Sequence, residues 1–391
     1  MTSEYSLYIH IPFCVHRCAY CDFNTYAGQE SLIPAYVEAL CREIDVVTHS
    51  APERLTAHTI FFGGGTPSLL SAVQFESILK MARDSFHLTP EAEISLEANP
   101  GTVTLDYLRD LRYLGINRIS LGVQSAHPDE LRQLERIHDY FDVIGAVTWA
   151  RQAGFDNLNL DLILGLPEQS LDRWQATVNL ILGLRPEHLS LYALTIEHGT
   201  PYGRWAQKGF LSLPDPDAAA DMYDWAGDAL EAGGFAQYEI SNWAKPGRQC
   251  CHNLQYWRGQ PYLGFGAGAH GFAGGKRISN VLRIENFIKR LDPVYPITDI
   301  RFPLSPATVN QTSISRHVEM QETMMTGLRL THEGVSSEDF AGRFGIPMQD
   351  VFGTEIEELT CLGLLEWAGP VLRLTKRGRL LGNQVFIRFV D

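Results

Sequence analysis

Cys14, Cys18 and Cys21 stand in the run Cys14-Val15-His16-Arg17-Cys18-Ala19-Tyr20-Cys21, three thiols within eight positions. Thiolates are soft ligands suited to zinc or to an iron–sulfur cluster. A [4Fe–4S] cluster ordinarily takes four cysteines, so three would leave one iron open to an outside ligand. Two other readings compete: a zinc site completed by His10 or His16, and three buried thiols.

These residues need elements to position them. Residues 5–10, 58–62, 93–97, 118–123, 157–164 and 187–196 read as six strands, separated by amphipathic helical stretches at 33–48, 72–86, 105–114, 141–153 and 171–184. Gly115 and Gly154 stand where helices stop. Strand and helix in alternation predict an α/β fold built on a parallel sheet. Six units fall short of a closed eight-stranded barrel, so the expectation is a partial (β/α)6 barrel with a lateral mouth. The chemically capable residues cluster at the C-terminal ends of the strands: the cysteines after the first, Gly63-Gly64-Gly65-Thr66-Pro67 after the second, Glu97 at the third, Gln124 after the fourth, Asp161 in the fifth, Tyr192 and Thr195 in the sixth. In parallel α/β barrels that rim is where ligands bind.

The chain has 391 residues, with 32 Lys plus Arg against 46 Asp plus Glu, a net charge of −14 that argues against a backbone-reading nucleic-acid binder. The start, Met1-Thr2-Ser3-Glu4-Tyr5-Ser6, has no basic-then-apolar leader pattern, and no apolar run is long enough to span a bilayer. Seven cysteines are too few for a disulfide scaffold. The expected setting is a reducing cytoplasm without stable membrane insertion.

Cys-x-x-x-Cys-x-x-Cys after the first strand of a six-unit barrel resembles the radical S-adenosylmethionine (SAM) superfamily. The resemblance implies that the methionine end of SAM chelates the open iron. It implies a backbone cradle for SAM along Gly63, Gly64, Gly65 and Thr66, where the glycines' missing Cβ lets main-chain groups approach. By the same resemblance Glu97 and Asp161 accept hydrogen bonds from ribose or ammonium, Gln124 serves the same ligand, Arg136 pairs with its carboxylate, and Tyr8 and Tyr20 face cluster or adenine. A turn from strand to helix is the plain alternative for the glycines, and a satisfied strand-end polar group for the rest.

Tyr8-Ile9-His10-Ile11-Pro12-Phe13-Cys14, Gly63-Gly64-Gly65-Thr66-Pro67, Gly122-Val123-Gln124-Ser125 and Asp161-Leu162-Ile163-Leu164-Gly165-Leu166-Pro167 resemble the coproporphyrinogen III oxidase-like branch over nearly the whole chain. The oxidase of that branch carries a fourth cysteine two positions after the third, where this chain has Phe23, and a longer N-terminal arm, whereas 13 residues precede Cys14 here. Cys251-His252-Asn253-Leu254-Gln255-Tyr256-Trp257 instead resembles the His-Asn-x-x-Tyr-Trp motif of the branch's heme chaperones. On that resemblance His252 is an axial heme ligand, Asn253 orients it, and Tyr256 and Trp257 offer flat surface to the porphyrin. The implied cofactors are the cluster, SAM and heme. The implied partners are heme-acceptor proteins, membrane-bound respiratory proteins among them, and the rival function is oxygen-independent coproporphyrinogen III oxidation.

The expected organisation is a radical SAM partial barrel over 1–200, a middle region with the heme motif over 201–305, and a winged-helix-like domain over 306–391. In the middle region Pro216–Ala232 reads as a helix, 238–272 as an aromatic, glycine-rich stretch with little period, and 293–306 as a linker. The C-terminal region closes with a β pair at 364–367 and Val371–Leu374 turning at Gly369-Pro370. Residues 315–391 carry 8 Lys plus Arg against 11 Asp plus Glu, which favours packing over DNA binding. The glycine-bearing run from Tyr262 to Gly271 permits close backbone approach and suits a flat ligand or a tight crossing; Cys41, inside a helical pattern, and Cys361, beside apolar Leu359 and Leu362, are expected in the core.

Overall fold

The computed structural model describes residues 4–294 and 300–390. The chain forms two compact units, Met1–Ala229 with Pro261–Thr312, and Leu230–Gln260 with Ser313–Asp391.

In the first unit six parallel strands follow in sequence: β1 (Tyr5–Ile11), β2 (Thr56–Gly64), β3 (His87–Ala98), β4 (Arg118–Gln124), β5 (Leu158–Leu164) and β6 (His188–Ala193). The expected sixth strand shortens at both ends, which leaves Thr195 outside it and Tyr192 inside. Helices α1 (Ile33–His49), α2 (Ala72–Ser85), α3 (Leu105–Tyr113), α4 (Pro128–Gln133), α5 (Tyr140–Gln152) and α6 (Leu171–Gly183) link them. Their starts follow from local chemistry: Ser71 with Gln74, and Asp139 with Asp142, form reciprocal capping boxes, and Thr104 and Ser170 cap α3 and α6.

The strands alternate in a way that prepares a site. One parity is apolar and buried: Leu7 and Ile9, Ile60 and Phe62, Ile94 and Leu96, Ile119 and Leu121, Leu160 and Leu162, Leu189 and Leu191. The other is polar and linked across strands. Thr59 donates to Ser6 (2.6 Å), Asn159 to Ser120 (2.7 Å), Ser120 to Asp161 (3.0 Å) and Ser190 to Asn159 (3.2 Å). Strands buried on both faces in parallel sheets are usually apolar throughout. A polar inner face is therefore a cost in stability that points to a wet or ligand-holding interior.

The sheet does not close. The outer edge of β1 pairs in parallel with Tyr262–Phe265, and Leu7 faces Leu263. That strand continues antiparallel into His270–Ala273 and Lys276–Asn280, and the sheet ends on Thr308–Ser313. The expected blocks 1–200, 201–305 and 306–391 cut across these units, because strand pairing, invisible to local periodicity, adds residues 262–280 to the barrel sheet. Of the expected linker, residues 295–299 lie outside the described residues. Ser305 is no linker residue: it is buried and donates to Glu43 at 2.7 Å.

The second unit holds helices Arg316–Gly327, Ser337–Phe344 and Met348–Cys361 and a three-stranded sheet in the order Val335–Ser336, Val371–Leu374, Leu365–Ala368. Phe340, Phe344, Phe352, Leu372 and Phe389 are among its core residues. Helices closed by a hairpin give the winged-helix-like form expected. The hairpin turns on Gly369 at φ 63°, a value few other residues adopt. The stretch from 238 to 272 resolves into a hairpin (Ala236–Glu239, Asn242–Ala244), a one-turn-plus helix (Cys251–Trp257) and two strands.

Candidate functional site

The cysteine loop leaves β1 and folds back on itself. Phe13–Cys14 pairs in parallel with Tyr26–Ala27, the Tyr26 amide donates to the Pro12 carbonyl (2.8 Å), and the Cys21 amide to that of Cys18 (3.2 Å). Asn24 fastens the loop: its Nδ2 donates to the Ala267 and Leu282 carbonyls (3.1 and 3.0 Å), and its own carbonyl accepts from His10 Nε2 (2.9 Å). That bond places the His10 proton on Nε2, so Nδ1 accepts from the Tyr8 hydroxyl at 3.0 Å.

Cys14 is buried, and Cys18 and Cys21 are half-buried. Burial pushes the Cys14 and Cys21 thiols up, and hydroxyl and amide donors work against it. The Thr66 hydroxyl donates to Cys14 Sγ (3.6 Å) and Arg136 to Cys18 Sγ (3.5 Å); the Phe23 amide and the Thr25 hydroxyl favour ionised Cys21. Donors aimed at sulfur are what metal-bound thiolates need from their surroundings, so the residues present fit a cluster held by three cysteines. Zinc fits less well. Both His10 nitrogens are engaged, His16 Nε2 lies 3.3 Å from Glu135, and among the described residues no three His, Cys, Asp or Glu side chains converge as a single ion requires. A cubane seats each thiolate on a separate iron and asks for no such convergence.

The structure brings Gly65, Thr66 and Arg136 to this loop, with Gly64 and Glu97 behind them, and among the described residues shows no such approach for Tyr192 or Thr195. The Gly65 and Thr66 amides donate to the Ile11 and Phe13 carbonyls (both 2.8 Å), tying β2 to the end of β1. A Cβ on Gly65 would lie 2.5 Å from the Phe13 oxygen, and one on Gly64 (φ +114°) 2.4 Å from the His10 ring. Close packing of strand ends thus demands these glycines on its own account. The Gly64 amide donates to Glu97 (3.1 Å). Burial, and then Asp161, push the Glu97 carboxyl up to about 7, and burial also raises Asp161 against donors from Ser190, Asn159 and Ser120. Burial and Glu97 raise the Tyr8 phenol.

Arg136 donates to the Gly122 carbonyl (2.7 Å) as well as to Cys18. Tyr20 lies beside Arg136 and Cys18 and meets the Tyr202 ring edge-on at 6.5 Å. Gln124 (φ 70°) and Glu135 (φ 56°) both hold left-handed backbone, uncommon away from glycine and a form of strain that gathers at functional sites. His138 supports this corner: its Nε2 donates to the Val123 carbonyl (3.1 Å), and burial, then Arg136, push the imidazole down to about 4. Sequence reasoning missed Asn24, Thr25 and His138. No periodicity marks a loop residue, and the only signal was a polar Asn-Thr pair just after the third cysteine.

In the second unit the helix Cys251–Trp257 carries the other expected set. His252 is 1% exposed, and its Nε2 lies 2.7 Å from the Tyr256 hydroxyl one turn on, with the rings edge-on at 5.0 Å. That nitrogen is open to another partner only if the hydroxyl yields. Trp257 stacks under the Arg329 guanidinium (4.4 Å), and its buried Nε1 finds no hydrogen-bond partner among the described residues. Asn253 is half-buried on the same turn. Cys250 is buried and Cys251 exposed. Cys361, expected in the core, is exposed: it lies two residues, about 200° of helix, from buried Leu359. Cys41 is half-buried, and burial pushes its thiol up to about 11.

With this geometry in place, comparison with known proteins is decisive for family. Residues 8–181 match the Radical SAM superfamily and residues 314–381 the HemN C-terminal domain. The heme chaperone HemW of Bacillus subtilis is 38% identical over 98% of this chain and 99% of its own length. The chain belongs to the HemW family. The HemW of Escherichia coli is also 38% identical, over 98% of each chain, and that of Mycobacterium tuberculosis 36%, over 97% and 93%. The solved structure of Escherichia coli coproporphyrinogen III oxidase, HemN, matches with a TM-score of 0.83 at 23% identity, over 99% of this chain and 90% of that one, so this chain has the fold of that protein. Radical SAM membership implies a [4Fe–4S] cluster and SAM. Among the described residues of this HemW-family chain no helix is long and apolar enough to cross a membrane.

Proposed function

We propose that this chain is a heme chaperone that holds a [4Fe–4S] cluster on Cys14, Cys18 and Cys21 and receives SAM across Tyr8, Tyr20, Gly64, Gly65, Thr66, Glu97, Gln124, Arg136 and Asp161. Heme binds at His252, with Asn253, Tyr256 and Trp257, and passes to acceptor hemoproteins, membrane-bound respiratory proteins among them. In functional terms residues 1–200 serve cluster and SAM, 201–305 carry the heme motif, and 306–391 form the winged-helix-like domain. One observation carries the chaperone reading over an oxidase: a HemW is 38% identical over 98% of this chain, and the chain itself has the His252-Asn253-x-x-Tyr256-Trp257 sequence. Phe23, at the place of the oxidase's fourth cysteine, is 64% exposed and offers no ligand.

When bound, a cluster held by Cys14, Cys18 and Cys21 together with SAM would supply one-electron chemistry at the sulfonium. The protein's own residues do the rest of the work. Arg136, Thr66 and the Phe23 amide place donors on the thiolates, and Arg136 also offers its charge to a carboxylate. Glu97 and Asp161 present carboxylates that accept hydrogen bonds. For heme, the His252 imidazole supplies a lone pair once Tyr256 releases it.

The test is anaerobic reconstitution with iron and sulfide, followed by hemin titration and, separately, by SAM with coproporphyrinogen III. Expected are cluster absorption lost in Cys14→Ser, Cys18→Ser and Cys21→Ser, stoichiometric heme binding lost in His252→Ala, and no turnover. Formation of protoporphyrinogen IX would overturn the reading.

A further inference from the structure

Thr25 stands four residues beyond the last cysteine, inside the fold-back of the loop. The pairing of Phe13 with Tyr26 and of Cys14 with Ala27 brings it against Cys14, and the turn in which the Thr25 amide donates to the Phe23 carbonyl (2.8 Å) brings it against Cys21. Its neighbour Asn24 is held by bonds to Ala267, Leu282 and His10, so the backbone has little freedom to carry Thr25 away. The residue is 5% exposed, yet its hydroxyl makes no hydrogen bond of ordinary geometry among the described residues. A buried hydroxyl without a partner is destabilising, and native chains keep one where something else completes it. The nearest acceptors around this hydroxyl are sulfurs, those of Cys14 and Cys21.

We infer that the Thr25 hydroxyl is a built-in donor to the cluster-bound thiolates of Cys14 and Cys21, unsatisfied without the cluster and satisfied with it, and that it raises the cluster's reduction potential. The inference rests on the cluster assignment above. A hydrogen bond to sulfur gains strength as the cluster takes up an electron, so it favours the reduced form. Thr66 and Arg136 act on Cys14 and Cys18 in the same sense, and Thr25 is the donor that reaches the third thiolate from a side chain.

The test compares wild type, Thr25→Val and Thr25→Ser. Without cluster, Thr25→Val is expected to raise Tm, because it removes an unsatisfied hydroxyl and keeps the shape. A purely structural threonine would give the opposite sign. With cluster, titration with dithionite as electron donor, followed by electron paramagnetic resonance, should show a lower midpoint potential in Thr25→Val and a wild-type value in Thr25→Ser. Equal midpoints in all three, or a Thr25→Ser potential displaced as far as that of Thr25→Val, would overturn the inference. If Thr25→Val takes up no cluster, resonance Raman on loaded wild type decides: iron–thiolate stretches unmoved by deuterium exchange would also overturn it. Wild type that binds no iron and sulfide at all would instead remove the cluster assignment.

Discussion

Glu43 of α1 is 1% exposed and holds the far end of the sheet to the barrel. Its carboxylate accepts from the Gly266 amide, Asn280 Nδ2 and the Ser305 hydroxyl, each at 2.7 Å. Burial outweighs these three donors and pushes the carboxyl up from 4.5 to about 7. A proton is then held by the folded chain and released by the unfolded one between those values. Stability from this group is complete below pH 4.5, falls as pH rises toward 7, and levels off above it. That displacement corresponds to roughly 3 kcal/mol. Glu43→Gln removes that titration, but its amide sets a donor against donors and costs about 1–3 kcal/mol. Urea unfolding from pH 5 to 8, followed by near-ultraviolet circular dichroism, should show the variant less stable at pH 5 and the gap closing toward pH 8. A gap that stays constant across that range would refute the reasoning, since only a titrating Glu43 can close it.

Gly65→Ala forces a Cβ to 2.5 Å from the Phe13 oxygen and should lower the urea midpoint by the equivalent of about 1–3 kcal/mol, with poorer iron loading measured alongside. Tyr256→Phe removes the hydroxyl that lies 2.7 Å from His252 Nε2. Worth about 1 kcal/mol, the lost bond should tighten hemin binding roughly fivefold in an absorbance titration. Arg136→Gln leaves Cys18 without its guanidinium donor; SAM binding to the loaded protein, followed by calorimetry, should weaken by at least tenfold, about 1.4 kcal/mol for a charge-assisted pair.

The six barrel strands were legible because alternating and apolar runs are local signals. Their polar parity was legible too, in Glu97 and Asp161. What escaped was set by contacts distant in sequence. Nothing near residues 262–280 announces that Leu263 will face Leu7, and nothing near Ser305 announces Glu43. The glycines after β2 were read for a ligand, yet the Phe13 oxygen and the His10 ring already exclude a Cβ there. Apolar neighbours in sequence do not place Cys361 inside, because Leu359 is buried and Leu362 exposed on a different side of the helix. For His252 the motif was visible and its closed state was not, since a hydrogen bond one turn along a helix leaves no mark on composition.

The anchors of the cysteine loop arrive late. Asn24 is clasped by the Ala267 and Leu282 carbonyls, 243 and 258 residues further along the chain. At ribosomal speeds that interval is on the order of tens of seconds, during which the thiols have emerged but their clasp does not exist. The fold-back of the cysteine loop is therefore anchored only after translation has passed Leu282, so its final geometry is set late in the synthesis of the chain.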